Sequence, residues 1–93
     1  MSAAPSLGPL DVPRRSLGIR IRRVEDGLMI GFRDQALLLS GPAELIYRSV
    51  DGRRTVAEVA AVIALEYGID QAEAVTDVTE FVVDLADNGV FAW

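Results

Sequence analysis

Apolar and polar residues alternate with a period of two along residues 17–33. Leucine and isoleucine alternate with glycine and arginine in a first run that begins at Leu17, and a similar run begins at Leu28. Glu25-Asp26-Gly27, between the two runs, has the composition of a tight turn. The pattern predicts an antiparallel hairpin with one face towards solvent.

The run Leu37-Leu38-Leu39 breaks this alternation. It lies in a third predicted strand, residues 35–40, which completes a meander and forms one edge of its sheet. Three successive leucines place an apolar side chain on both faces of the strand, and this edge lacks the charge or proline that usually protects one. Two interpretations stay open. The edge either accepts another extended peptide, or the last helix or the N-terminal segment covers it.

Three helix starts follow the leucine strand. Gly41-Pro42 provides an N-cap and a first helical residue. Thr55-Val56-Ala57-Glu58 is a capping box, and Asp70-Gln71-Ala72-Glu73 repeats that arrangement. Glycine follows the second and third helices, and the last residues are expected to pack back on the core. The predicted helices cover 42–50, 56–67 and 71 to about 87. The order is therefore three strands and then three helices, an α+β chain.

The residue pattern of the third helix predicts a stripe that faces the core, with an apolar flank on one side and an acidic flank on the other. At 100° per residue, Ala74, Val78, Phe81 and Leu85 share one face. One flank extends the apolar surface, and the other is acidic and either meets a basic ligand or is an ordinary solvated face. The apolar flank consists of Val75, Thr79, Val82, Val83 and Ala86; the acidic flank consists of Asp77, Glu80, Asp84 and Asp87.

The length of 93 residues and the composition predict one soluble domain, residues 15–93. A flexible arm with three prolines, residues 1–14, precedes it. No segment resembles a secretory signal or is apolar enough to cross a bilayer, so a cytoplasmic location without membrane contact is expected. The nine basic residues are all arginines within residues 1–54, whereas residues 55–93 hold eight acids and no base. This split predicts two surfaces of opposite charge.

The missing residue types limit the chemistry. The chain has no cysteine, histidine or lysine. Thiolate and imidazole ligands, cysteine nucleophiles, the usual general base and a Schiff-base lysine are thereby excluded. We expect a protein that is not an enzyme and has no catalytic residue, metal site or cofactor.

The segments LLLSGPAELIYRSVDGRRTVAEVA, EYGID and DVTEFVVDLADNGVF resemble, in order and spacing, the PqqD-like family, also called RiPP recognition elements. The resemblance covers about residues 17–91. It includes Asp51-Gly52, Tyr67-Gly68 and the final helix pattern that ends at Gly89-Val90. One departure is Ser40-Gly41-Pro42, where many members have asparagine and then a small polar residue. We expect this to alter the helix cap more than the function.

The resemblance implies a winged-helix-like fold that binds the leader segment of a ribosomally made precursor peptide. The leader would add as a strand to the leucine strand, beside the third helix. Separate enzymes would then process it, with a lasso-peptide protease or cyclase favoured over radical enzymes of a peptide-cofactor pathway such as PQQ or mycofactocin. The predicted contact residues are Gln35, Ala36, Leu37, Leu38, Leu39, Ser40, Val75, Asp77, Thr79, Glu80, Val82, Val83 and Asp84.

The sequence pattern is also compared with two other functions, DNA binding and dimerisation. A winged-helix shape suits DNA binding, but the last two helices carry only acids and phosphate contact needs basic residues. We therefore expect no nucleic-acid partner. The leucine-strand edge could also pair with a second copy of itself, as a dimerisation module.

Overall fold

The computed structural model of the protein describes residues 6–93. A three-stranded antiparallel sheet in the order β2-β3-β4 is followed by three helices, and a two-stranded ribbon joins β1 to β5. The predicted α+β order is confirmed. The elements are β1 (Arg14–Arg15), β2 (Arg20–Val24), β3 (Gly27–Phe32), β4 (Gln35–Leu39), α1 (Pro42–Ser49), α2 (Val56–Tyr67), α3 (Gln71–Ala86) and β5 (Phe91–Ala92).

The first strand of the meander begins later than its alternation predicts. Leu17 is fully exposed and lies outside β2, which starts at Arg20. Gly18 adopts a φ of 82°, a left-handed conformation that glycine allows and that reverses the chain before β2. The placement of Leu17 in the strand was therefore wrong. Ile21 pairs with Ile30 as the alternation predicts, although it stays half exposed at the sheet edge.

The ribbon pairs a segment that precedes the meander with the C-terminal end of the chain. Arg14 pairs with Ala92 and Arg15 with Phe91. Val90 and Phe91 are buried, which agrees with the expectation that the C-terminal residues pack on the core. The pairing itself was not predicted, because two-residue strands are too short for a period of two to be recognised.

The core lies between the inner face of the sheet and the three helices. Leu28, Ile30 and Phe32 of β3 all face inwards, and Leu39 of β4 joins them. Each such side chain stabilises the fold by roughly 1.5–3 kcal/mol when fully buried. The helices bury a longer set against this face: Ile46, Tyr47 and Val50; Val56, Val59, Ala60 and Ile63; Ala74, Val78, Val82 and Leu85.

The start of α2 is bonded to both its own capping box and the N-terminal segment. The Thr55 hydroxyl accepts a hydrogen bond from the Glu58 amide, and the Glu58 carboxylate accepts one from the Thr55 amide, as predicted. The first two helical amides donate instead to the carbonyls of residues 11 and 9. Part of the proposed flexible arm therefore satisfies donors that a helix start leaves free. Residues 1–5 of that arm lie outside the described residues, and the division at residue 14 stays a prediction.

An ion pair ties β2 to α1 and makes stability depend on pH. Arg23 donates to the Glu44 carboxylate over 2.9 Å, and Arg48 adds a weaker contact at 3.5 Å. The hydrogen bond from Arg23 is the main reason that the pKa of Glu44 lies below its usual 4.5. Because the carboxylate is favoured in the folded state, its contribution is present above the usual pKa and is lost as pH falls through the lowered value.

We therefore expect Glu44→Gln to remove part of the acid sensitivity of the fold. Urea midpoints measured from neutral to acidic pH should fall less steeply for the variant than for the parent protein. The effect should be small, because exposed ion pairs are weak. Asp51 also has a lowered pKa, caused first by the hydrogen bond from the Arg54 amide, and Asp51→Asn serves as a second variant. Parallel curves for parent and Glu44→Gln would contradict this account.

Candidate functional site

The outer edge of β4 is the feature most open to a partner chain. A two-residue turn, Arg33-Asp34, closes the β3–β4 hairpin, and Phe32 pairs with Gln35 across it. The two residues that flank such a turn form a hydrogen-bonded pair, and the next pair along the antiparallel ladder is not hydrogen-bonded. This alternation continues along β4. The peptide groups of Ala36 and Leu38 consequently point away from β3. Among residues 6–93, no backbone hydrogen bond from another element reaches them.

The three leucines divide between the faces of the sheet. Leu37 lies opposite Ile30 and Leu39 opposite Leu28, so both point inwards, half-buried and buried respectively. Leu38 points to the outer face and keeps 45% of its surface exposed. Two leucines therefore build the core, and the third forms an apolar contact on the surface next to the unpaired edge.

Helix α3 lies alongside β4 and runs in the opposite direction. At one end, the Arg33 guanidinium lies 3.6 Å from the position that a Cβ atom would take at Gly89, just beyond α3. At the other end, Pro42, which follows β4, shares a pocket with Glu73 and Asp77 of α3. These two observations place the two ends of α3 near the two ends of β4, and the space between the β4 edge and α3 is called the cleft below.

The α3 flank that faces this cleft is the acidic one. Helical periodicity places Phe81 and Asp84 on the same flank as Glu73 and Asp77, and Phe81 is half-buried. The apolar flank lies elsewhere on the helix. Val75 packs against the core, and the Thr79 hydroxyl donates to the Val75 carbonyl oxygen over 2.7 Å. Val75, Thr79 and Val83 therefore lie on a different flank of α3 from Asp77 and Asp84, and their contacts with a leader stay a prediction.

Val82 was assigned to the wrong part of the helix. It has no exposed surface and packs in the core, whereas Phe81, which was expected there, is half-buried. Phe81 lies at the edge of the core, beside β5. The other three predicted members of the stripe are buried as expected: Ala74, Val78 and Leu85. The Phe81 and Phe91 rings lie 6.0 Å apart. Val82 therefore belongs to the core and has no exposed surface with which to contact a ligand.

A pocket that the sequence pattern did not reveal lies at the end of the cleft beyond β4. Its apolar wall comes from α1, α2 and the turn that follows α2, and its acidic rim comes from α3. The exposed Tyr67 and the half-buried Ile69 both line this pocket. They belong to the Tyr67-Gly68-Ile69-Asp70 segment, which was noted in the sequence only as part of the family resemblance. The lining residues are Pro42, Ile46, Ile63, Tyr67, Ile69, Glu73 and Asp77.

The acids along α3 have no cationic partner in the described part of the chain. Asp77, Glu80 and Asp84 are exposed. The ion pairs between residues 6 and 93 all lie elsewhere, within β2, α1 and the turn after α1. A cation that enters the cleft would therefore meet free carboxylates. The two ends of the predicted site, Gln35 and Ser40, are both exposed along the β4 edge.

No group of three metal-ligating side chains occurs within residues 6–93. Burial raises the pKa of the Tyr47 hydroxyl, although Arg15, 5.2 Å from the ring centre, opposes that shift. A raised pKa keeps the phenol protonated at neutral pH, so the reactive phenolate form is disfavoured. None of the helices described is both long and apolar enough to span a membrane.

These features define the class as a small α+β domain, a meander on three helices, with one open strand edge beside the last helix. The family model described as coenzyme PQQ synthesis protein D (PqqD) matches residues 28–90. The chain belongs to the PqqD family.

A solved structure supports the same assignment. It is the solution NMR structure of the PqqD truncation of Methylobacterium extorquens PqqCD, described as a functional and stand-alone RiPP recognition element. The two chains are 27% identical and superpose with a TM-score of 0.81, over 95% of this chain and 96% of the other. No curated protein matches this chain.

Proposed function

We propose that this protein binds the leader segment of a ribosomally synthesised precursor peptide and presents it to separate maturation enzymes. The observation that carries the proposal is the unpaired edge at Ala36 and Leu38, beside the cleft along α3. Added strands gain affinity from backbone hydrogen bonds and specificity from pockets that take alternate side chains. The family match and the recognition element among solved structures support the same function.

The proposed mechanism is binding without chemistry. The leader pairs with Ala36 and Leu38, and its side chains lie alternately towards α3 and towards the outer face, where Leu38 is exposed. Asp77, Glu80 and Asp84 attract basic leader residues, and those charges that stay exposed in the complex mainly raise the association rate. The absence of histidine, cysteine and lysine supports a role in which other proteins perform the reaction.

Lasso-peptide protease or cyclase enzymes are our proposed partners, as the sequence resemblance favours, and cytoplasm is the proposed location. The family match is equally consistent with a radical enzyme of a PQQ-type pathway. The two settings differ in which enzyme forms a complex with the leader-bound protein. Size-exclusion chromatography with each candidate enzyme, with and without leader, distinguishes them.

Fluorescence anisotropy tests the proposal directly. The probe is the labelled N-terminal segment of the short peptide encoded beside this gene, and a labelled DNA duplex is the control. We expect saturable binding of the peptide with a Kd of about 1 μM or tighter, which corresponds to roughly −8 kcal/mol. Peptide that fails to bind would overturn the proposal. Duplex binding at low salt would point to nucleic acid, and self-association in sedimentation would point to a dimerisation module.

Leu38→Asp provides the matching substitution. Its side chain is on the outer face, so a carboxylate there stays solvated and the fold should persist. We expect the Kd for leader to rise by roughly tenfold or more, because an apolar contact next to the paired backbone is lost. Leu65→Asp, at an even more exposed leucine on α2, is the control and should leave the Kd unchanged. Equal affinity for Leu38→Asp and parent would count against this edge as the site.

A further inference from the structure

The pocket at the end of the cleft combines an apolar interior with a negatively charged rim, and few side chains are complementary to both. Its interior is apolar, with Ile46, Ile63 and Ile69 as walls. Its rim carries the carboxylates of Glu73 and Asp77. A purely apolar occupant would leave two charges uncompensated, and a small cation would leave the apolar walls uncovered.

Both rim carboxylates are available to a ligand. Glu73 occupies the reach-back position of the predicted capping box at the start of α3, yet only Asp70 caps that helix, by accepting from the Ala72 amide. Within residues 6–93, Glu73 and Asp77 make no ion pair. Because residues 55–93 contain eight acids and no base, neither α2 nor α3 offers a neutralising side chain.

We propose that this pocket binds an arginine or lysine side chain of the leader peptide. The inference rests on the proposed function, since the added strand at β4 delivers the side chain. The long apolar stem of such a residue covers the isoleucine walls while its charged end reaches the rim carboxylates. The match of apolar wall and acidic rim to one side chain makes a basic leader residue a specificity determinant.

The position of the pocket also sets where the basic residue lies in the leader. The outward peptide groups belong to Ala36 and Leu38, whereas the pocket includes Pro42, beyond the end of β4. A strand that pairs with Ala36 and Leu38 therefore reaches the pocket with a residue near one of its ends. The basic residue flanks the paired segment and does not lie at its centre.

Selection from a displayed library of random 12-residue peptides tests this inference without knowledge of the natural leader. The full-length protein is the bait, and recovered peptides are sequenced. We expect arginine or lysine to be enriched at one position, to one side of an apolar segment. The same selection against Glu73→Gln/Asp77→Asn should lose that enrichment. These substitutions keep side-chain size and remove only charge.

Affinity measurements complete the test. A selected basic peptide should bind the double variant roughly tenfold more weakly, because two exposed charge pairs are lost, and rising salt should reduce its affinity for the parent. Asp87→Asn, which removes an exposed acid that does not line the pocket, is the matched control and should leave affinity unchanged. Circular dichroism of the double variant should match that of the parent.

The outcomes separate this inference from the proposed function. Recovered peptides that need the β4 edge but show no basic enrichment, or that bind the double variant equally well, overturn the pocket assignment and leave strand addition intact. Dependence on the edge is measured with Ala36→Pro. A library that yields no peptide, together with a natural leader segment that fails to bind, overturns both.

Discussion

Ala36→Pro is expected to abolish leader binding while the protein stays folded. Proline has no amide hydrogen, and its ring occupies the space into which the Ala36 peptide group points. Because that group faces away from β3, no hydrogen bond of the sheet is lost, and proline is tolerated on the outer side of an edge strand. We expect the Kd for the leader to rise by roughly a hundredfold, as one backbone bond is lost and the neighbouring one is blocked.

The opposite edge of the sheet supplies a matched control. The β2–β3 ladder also starts at a two-residue turn, so the peptide group of Ile21 points outwards from β2. Ile21→Pro therefore makes the same change at an edge remote from α3, and leader affinity should stay close to that of the parent. Anisotropy measures the binding, and circular dichroism checks the fold. If both proline variants bind as the parent does, strand addition at β4 is wrong.

Val82→Asp is expected to unfold the domain. Val82 has no exposed surface, so an aspartate there must be buried without a partner or force the helix out of the core. Destabilisation of about 4 kcal/mol or more follows from a buried, unpaired carboxylate. Small domains have total stabilities of only about 5–15 kcal/mol, so the loss is a large share of the folding free energy and unfolds a domain at the low end of that range. Urea denaturation followed by circular dichroism measures the change.

The neighbouring residue makes this a test of helix orientation. Val83 is half-buried and does not belong to the core cluster, so Val83→Asp should cost no more than about 1 kcal/mol. Similar destabilisation by the two substitutions would mean that α3 is rotated from the orientation described. Because Val83 lies away from the cleft, Val83→Asp should also leave leader affinity unchanged.

Local signals were sufficient for most of the secondary structure. The capping box of Thr55 and Glu58 and the glycine at Gly68 place both ends of α2, and Asp70 caps α3. These signals act through hydrogen bonds between residues no more than four apart. They can therefore be recognised in a sequence whatever the tertiary context.

The same locality explains what the pattern missed. Phe81 was assigned to the α3 stripe and Val82 to its flank, but Val82 is fully buried whereas Phe81 is half-buried beside Phe91 of β5. Helical periodicity alone allows either Phe81 or Val82 to face the core, because adjacent residues lie only about 100° apart around the helix. The ring that packs against Phe81 is that of Phe91, ten residues further along the chain. The position of Phe91 depends on the β1–β5 pairing.

The sequence by itself determined that this is an α+β chain with three strands before three helices, that its leucine strand is an edge, and that histidine, cysteine and lysine take no part in its function. Periodicity, caps and composition are local or additive properties, which explains why they can be read without a structure. Only the tertiary structure decided which leucine stays outside, which flank of α3 faces β4, and how Glu73 and Asp77 meet a wall of isoleucines. Those features depend on contacts between segments distant in the chain, and such contacts form only when the whole core packs.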